Sequence, residues 1–167
     1  MIAAGSVPLP ASPTIPIQRV IKGGLLAGVI DISYVMFLWV LVLKKTTAMR
    51  IWQSVATGLL GKDAFQGGLP TAILGGLLHF TIAMTWTVIY WQVYRRSSAL
   101  RRMSRSTGGA IAAGMLYGAC IWLAMNFVVL TLSKATYVPV TAWQFWANLA
   151  QHAIMIGPTI TLLVRER

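Results

Sequence analysis

The sequence has few charged residues, very few acidic ones and a single cysteine. Charged side chains make up 10% of the 167 residues, whereas an average soluble domain has about 25%. Because so few charges cannot cover a soluble domain of this length, the composition excludes a soluble globular protein and predicts a membrane protein. The single cysteine, Cys120, excludes a disulfide framework and a zinc site built on several cysteines. We expect it to pack as a small buried side chain.

The sequence also lacks the motifs that identify common catalytic sites. It has no HExxH motif, no glycine-rich phosphate loop and no pattern of nucleophile and base, so we expect a protein that is not an enzyme. The net charge of +11 comes mainly from basic residues between apolar segments, as is usual at the flanks of membrane helices. Since no basic helix stands clear of these segments, we exclude nucleic acid as a partner. The expected partners are the lipid bilayer and either other membrane proteins or further copies of the chain.

Four long apolar segments fill most of the chain. Each has about twenty residues or more, enough to cross a hydrocarbon core of about 30 Å as a helix. The predicted spans cover residues 23–43, 69–94, 109–132 and 141–164. The predicted fold is therefore all-α, a polytopic bundle of four transmembrane helices with short loops over residues 21–167. Residues 1–20 are rich in proline and lack the apolar stretch of a signal peptide, and we expect them to be flexible.

The first loop contains a shorter apolar stretch. Residues 49–60 include Trp52 and are flanked by charged residues, which is typical of a short helix lying in the membrane interface. A re-entrant loop that caps the bundle is the alternative.

Basic residues favour one side of the predicted membrane. The N-terminal segment, the second loop and the C-terminal tail hold nine of them, and the first and third loops hold five. Because basic loops tend to remain in the cytoplasm, we predict that both termini and the second loop are cytoplasmic.

In each predicted span, small residues and polar residues share one face. Residues three or four apart lie on the same side of a helix, and helices in lipid associate through small residues and polar contacts. The predicted packing positions are Gly24, Gly28, Gly75, Gly114 and Gly118. The polar positions on the same faces are Asp31, His79, Asn126, Asn148 and His152. The pattern predicts a compact bundle with a polar seam, and Pro158 should kink the fourth helix just after His152.

Asp31, His79 and His152 are ionisable residues inside the spans, where such residues are costly and usually mark a functional site. Three interpretations are open. The first is a structural polar cluster in which these residues, Asn126 and Asn148 fix the register of the helices. The second is a haem b or metal-ion site, since His79 and His152 could ligate a haem axially inside a helical bundle. The third is a proton or ion pathway through Asp31 and the histidines.

Several motifs resemble those of a family of small, uncharacterised bacterial inner-membrane proteins with four predicted helices. They are AGxxDI at 27–32, ATGLLGxxAFxGG at 56–68, LHFxIA at 78–83, Tyr117-Gly118, MNxVVLxLS at 125–133 and the late His152. The resemblance covers most of the chain after Gly23 and implies that the first loop is a defined element. The family has no assigned activity, so the resemblance implies no catalytic or cofactor residues. We expect a non-enzymatic accessory or structural component of a complex in a bacterial inner membrane.

Overall fold

The computed structural model describes residues 17–135 and 141–166. Within these ranges the chain forms six helices and no β-strand, which confirms the predicted all-α fold. The helices are α1 (Ile17–Val42), α2 (Ala48–Leu60), α3 (Gly68–Arg96), α4 (Ser98–Met103), α5 (Thr107–Leu132) and α6 (Trp143–Val164). Four of them, α1, α3, α5 and α6, are long and apolar enough to cross a membrane. The chain is thus a multi-pass membrane protein.

Helix α1 begins earlier than the sequence predicts. It starts at Ile17 instead of residue 23, so the last four residues of the segment predicted to be flexible are helical. The reason is a tertiary contact, because the Arg19 guanidinium donates a hydrogen bond to the carbonyl of Arg165 (3.0 Å) and ties the first turn to the end of α6. The rest of the predicted flexible segment, residues 1–16, lies outside the described residues.

The four long helices pack side by side in the order α3, α1, α6 and α5. Aromatic side chains join the two outer helices, since the Tyr117 hydroxyl on α5 donates to the carbonyl of Trp86 on α3 (2.5 Å). The Trp86 indole in turn donates to the Met125 sulfur (3.3 Å). Through these contacts the helices form a closed bundle.

The predicted packing glycines lie at helix contacts. Gly24 and Gly28 face Met84 and Phe80 where α1 crosses α3. Helices α5 and α6 also approach closely, and a Cβ atom on Gly118 would collide with the carbonyl oxygen of His152. Gly114, also predicted, lies against Pro158 in the same contact, and small residues therefore allow the two backbones to approach closely.

The first loop forms the helix that its sequence predicts. The Thr47 hydroxyl caps its start by accepting from the Arg50 N–H (3.3 Å), and Gly61 ends it with a φ of +66°, which favours glycine. Helix α2 packs along the first turns of α3, and the Gly58 carbonyl accepts from the backbone N–H of Lys134 beyond α5 (3.0 Å). It therefore connects α3 with the end of α5.

Helix α6 departs from α-geometry at the place where the sequence predicts a kink. Residues His152–Ile156 form a π-helical turn immediately before Gly157 and Pro158. Proline has no N–H to continue the regular hydrogen-bond ladder, but π-helical turns also occur without a proline at Phe37–Val42 in α1 and Met125–Val129 in α5.

The expectation for Cys120 is wrong. Its side chain is exposed on α5 instead of buried. The reason is that the adjacent residues Ile121 and Trp122 face the bundle, which turns Cys120 outward.

Candidate functional site

Asp31, His79 and Gln151 meet where α1, α3 and α6 come together, and we call them the Asp31 cluster. One carboxylate oxygen of Asp31 accepts a hydrogen bond from the Gln151 amide nitrogen (3.1 Å). The other lies 4.0 Å from Nδ1 of His79, within range of an ion pair. Asp31 lies about 11 residues before the end of α1 and His79 about 11 residues after the start of α3. Both are therefore about 16 Å along the helix axis from those ends, inside the predicted spans.

The histidine of this cluster is held from several sides. Its Nε2 lies 2.9 Å from the backbone carbonyl of Gly28. Because a carbonyl oxygen can only accept, Nε2 carries a hydrogen and Nδ1 is the nitrogen directed at Asp31. The rings of Trp52 on α2 and of Phe80 pack edge-on against the imidazole, with centroid distances of 5.9 and 5.3 Å. Helix α2 thus reaches the cluster through one aromatic side chain.

The third member, Gln151, was not predicted from the sequence. Its side chain is only 4% exposed, and its amide oxygen has no hydrogen-bond partner in the described part of the chain. The sequence pattern could have identified Gln151, because Gln144, Asn148 and Gln151 follow the i, i+4, i+7 spacing of one helix face. The prediction placed Asn148 and His152 on the polar face instead and so selected the neighbouring residue.

The other predicted polar residues do not join the Asp31 cluster. Nδ1 of His152 lies 3.0 Å from the carbonyl of Asn148, one turn earlier in the same helix. The Asn126 amide donates to the carbonyl of Trp122, also one turn earlier (2.9 Å). A local carbonyl pairs with one nitrogen of each side chain, and of the predicted polar positions only Asp31 and His79 contact each other through their side chains.

The two histidines, which could ligate a haem or a metal ion, have separate polar partners. The nitrogens of His79 are directed at Gly28 and Asp31, and Nδ1 of His152 is directed at its own helix. No hydrogen bond or ring contact joins the two imidazoles, and residues 17–135 and 141–166 contain no group of three metal-ligating side chains. The residues as placed do not fit an axial pair of haem ligands.

A long apolar groove runs along the outer face of α3. Its volume is about 900 Å³, and its lining extends from Leu69 to Ile89 on α3, with Leu25 of α1 and Trp52 of α2 on its sides. Twenty helical residues span about 30 Å, the thickness of a hydrocarbon core. Ala72 and Gly76 are small residues in its lining, and the groove remains open on the side away from the bundle.

Comparisons with known proteins return no similarity from which a function could be transferred. No family model matches the sequence, no curated protein shows significant similarity to it, and no solved structure shows significant similarity to its fold.

Proposed function

We propose that this chain is a non-enzymatic accessory or structural component of a membrane complex, and that another transmembrane helix docks on the outer face of α3. The observation that carries the proposal is the pair Gly75 and Gly76. A Cβ atom on Gly75 would collide with the carbonyl of Trp52, whereas one on Gly76 would meet nothing nearer than ring carbons of Trp52 at 3.8 Å. The backbone of α2 packs closely against Gly75. No backbone in the described residues approaches Gly76 in the same way, so a second helix could pack there.

The floor of the groove suits a helix contact. Thr81 and Thr85 line it, and each hydroxyl donates to a carbonyl one turn earlier in α3 (2.7 and 2.8 Å). Their polar atoms are already satisfied, so a second helix could cover them without leaving a hydrogen bond unmade. Small residues that allow close approach drive helix association in lipid, and Ala72 and Gly76 provide them in a groove about as long as a membrane is thick.

Photo-crosslinking from matched positions tests the proposal. A benzophenone amino acid is placed at Leu77 in the groove or at Leu116 on α5, two leucines with similar exposures of 65% and 68%. In native membranes we expect a crosslinked protein product from Leu77 and none from Leu116. A product of twice the chain's mass would indicate a second copy, and any other mass would indicate a different partner.

Filling the groove provides the second half of this test. Gly76→Leu should abolish the product from Leu77 while the protein remains folded, because Gly76 lines the open groove and a Cβ atom there is only in ordinary contact with the Trp52 ring. If Leu77 gives only lipid adducts, or if Gly76→Leu leaves the product unchanged, the groove does not bind a helix.

We also propose a bacterial inner-membrane location with both termini in the cytoplasm. The end of the bundle that holds the start of α1 and the end of α6 carries eight basic residues among the described ones. They are Arg19, Lys22, Arg95, Arg96, Arg101, Arg102, Arg105 and Arg165. The opposite end carries five, namely Lys44, Lys45, Arg50, Lys62 and Lys134. The imbalance supports this orientation through the positive-inside rule.

Fusions of alkaline phosphatase, which is active only outside the cytoplasm, test the orientation. A fusion after the last residue should be inactive, and a fusion in the first loop at Lys62 should be active. The reverse pattern would contradict the proposed topology.

A further inference from the structure

We propose that the Asp31 cluster is a reversible binding site for one proton inside the bundle. This inference is independent of the groove on α3, since it rests on different side chains. The proton comes from the aqueous phase and returns to it, and the only bond that forms or breaks is an N–H or O–H bond.

The geometry assigns the atoms that hold the proton. Because Nε2 of His79 keeps its hydrogen on the Gly28 carbonyl, only Nδ1 can gain or lose one, and it faces an oxygen of Asp31 at 4.0 Å. A proton on Nδ1 gives an imidazolium beside a carboxylate, and the same proton on Asp31 gives a neutral acid beside a neutral imidazole. Both arrangements have zero net charge. The empty site carries one negative charge, which a low-dielectric surrounding disfavours.

Gln151 is suited to both states of the carboxyl group. In the structure its amide nitrogen donates to Asp31, as an ionised carboxylate requires, while its amide oxygen is buried without a donor. A half-turn of the amide would exchange the two atoms, and the oxygen would then accept from the O–H of a protonated Asp31. An amide carries a donor and an acceptor, so one residue can serve a group that changes protonation. The unpartnered amide oxygen of Gln151 is therefore available to a protonated Asp31, a state that the present hydrogen bond does not serve.

The surrounding elements place no other charged group against the pair. Helix α3 contributes His79 itself, and α6 contributes Gln151 and, next in sequence, His152, which is bonded to its own helix. Helix α2 contributes Trp52, while its Arg50 is exposed and lies over the Phe65 ring (5.6 Å). The Asp31 side chain is 25% exposed and the His79 side chain 10%, so the carboxyl group is the more accessible of the two.

The composition of the chain makes a direct test practical. The sequence has two histidines and two aspartates, His79, His152, Asp31 and Asp63. Labelling with ¹⁵N-histidine and ¹³C-carboxyl-aspartate therefore gives one site signal and one reference signal of each type in NMR spectra of the full chain in detergent micelles. At high pH we expect His79 to carry its hydrogen on Nε2 and His152 on Nδ1, since each donates to a carbonyl at that atom.

On titration we expect the signals of Asp31 and of Nδ1 of His79 to change together, with one common midpoint, because the two groups share one proton. Neither Asp63 nor His152 should follow that step. Gln151→Leu should change the proton affinity of the shared step by about tenfold, one unit in its midpoint. Gln144→Leu, two turns earlier on the same helix, should leave it unchanged.

Three outcomes would overturn the proposal. The Asp31 and His79 signals could remain constant while Asp63 and His152 titrate, which would show a fixed structural pair. The two groups could titrate independently, or the shared step could be unaffected by Gln151→Leu. Should that variant fail to fold, Asp31→Asn decides the question. The proposal requires the midpoint of the pH dependence of the His79 signal to differ from that of wild type, and an unchanged midpoint contradicts it.

Discussion

Replacing Gly157 by alanine should lower the free energy of unfolding by about 3 kcal/mol, at the upper end of what overpacking usually costs. A Cβ atom at this position would collide with the carbonyl of Gly114 and lie 2.6 Å from the backbone nitrogen of Gly118. Both neighbours are backbone atoms of α5, which no rotamer change can move. The added methyl group must therefore push α5 and α6 apart. Reversible unfolding by SDS in mixed micelles measures the effect.

The matched control is Gly108→Ala near the start of α5. A Cβ atom there meets nothing within 4 Å, so the free energy of unfolding should stay within about 1 kcal/mol of wild type or rise slightly. Equal effects of the two substitutions would show that α5 and α6 do not pack as closely as described.

Gly75→Ala should detach α2 from the bundle. Its Cβ atom would collide with the carbonyl of Trp52 and lie 3.4 Å from the backbone nitrogen of Ala56, so the backbone of α2 must move away. We expect a loss of about 2 kcal/mol, concentrated in α2 because this helix packs mainly on α3. Hydrogen exchange should show that the amides of Ala48–Leu60 lose protection while those of α5 and α6 keep theirs.

The neighbouring Gly76→Ala is the control for this prediction. It adds the same methyl group one residue further along, where ring carbons of Trp52 at 3.8 Å are in ordinary contact distance. Protection of α2 should then be unchanged. If Gly76→Ala disturbs α2 as strongly as Gly75→Ala, the rotation of α3 in the bundle is not the one described.

Detachment of α2 should also be detectable at the Asp31 cluster. Trp52 packs against the His79 ring from α2, so its loss in Gly75→Ala would open one side of the imidazole to the surroundings. The hydrogen bond from His79 to Gly28 depends only on α1 and α3 and should persist. The first loop therefore acts on the cluster by covering it and does not position its hydrogen-bonding atoms.

Features that depend on local chemistry could be predicted from the sequence. The four spans follow from apolar runs of sufficient length between basic residues, and the short helix of the first loop follows from its apolar stretch. The contact of Asp31 with His79 was also within reach. Asp31 lies three residues after Gly28 on one helix face, and His79 lies four residues after Gly75 on another.

Other features required the tertiary structure. Gln151 joins the cluster although His152 had been selected, while Asn126 and His152 bond to their own helices. Of two adjacent glycines, Gly75 packs inside the bundle and Gly76 remains free. The physical reason is that lipid tails are as apolar as a leucine-lined interior, so hydrophobicity does not distinguish the inner face of a membrane helix from the outer one. The sequence by itself thus determined how many helices are long and apolar enough to cross the membrane and, except for the start of α1, roughly where they begin and end. Their rotation, and with it the members of the Asp31 cluster, was decided only by how the backbones pack.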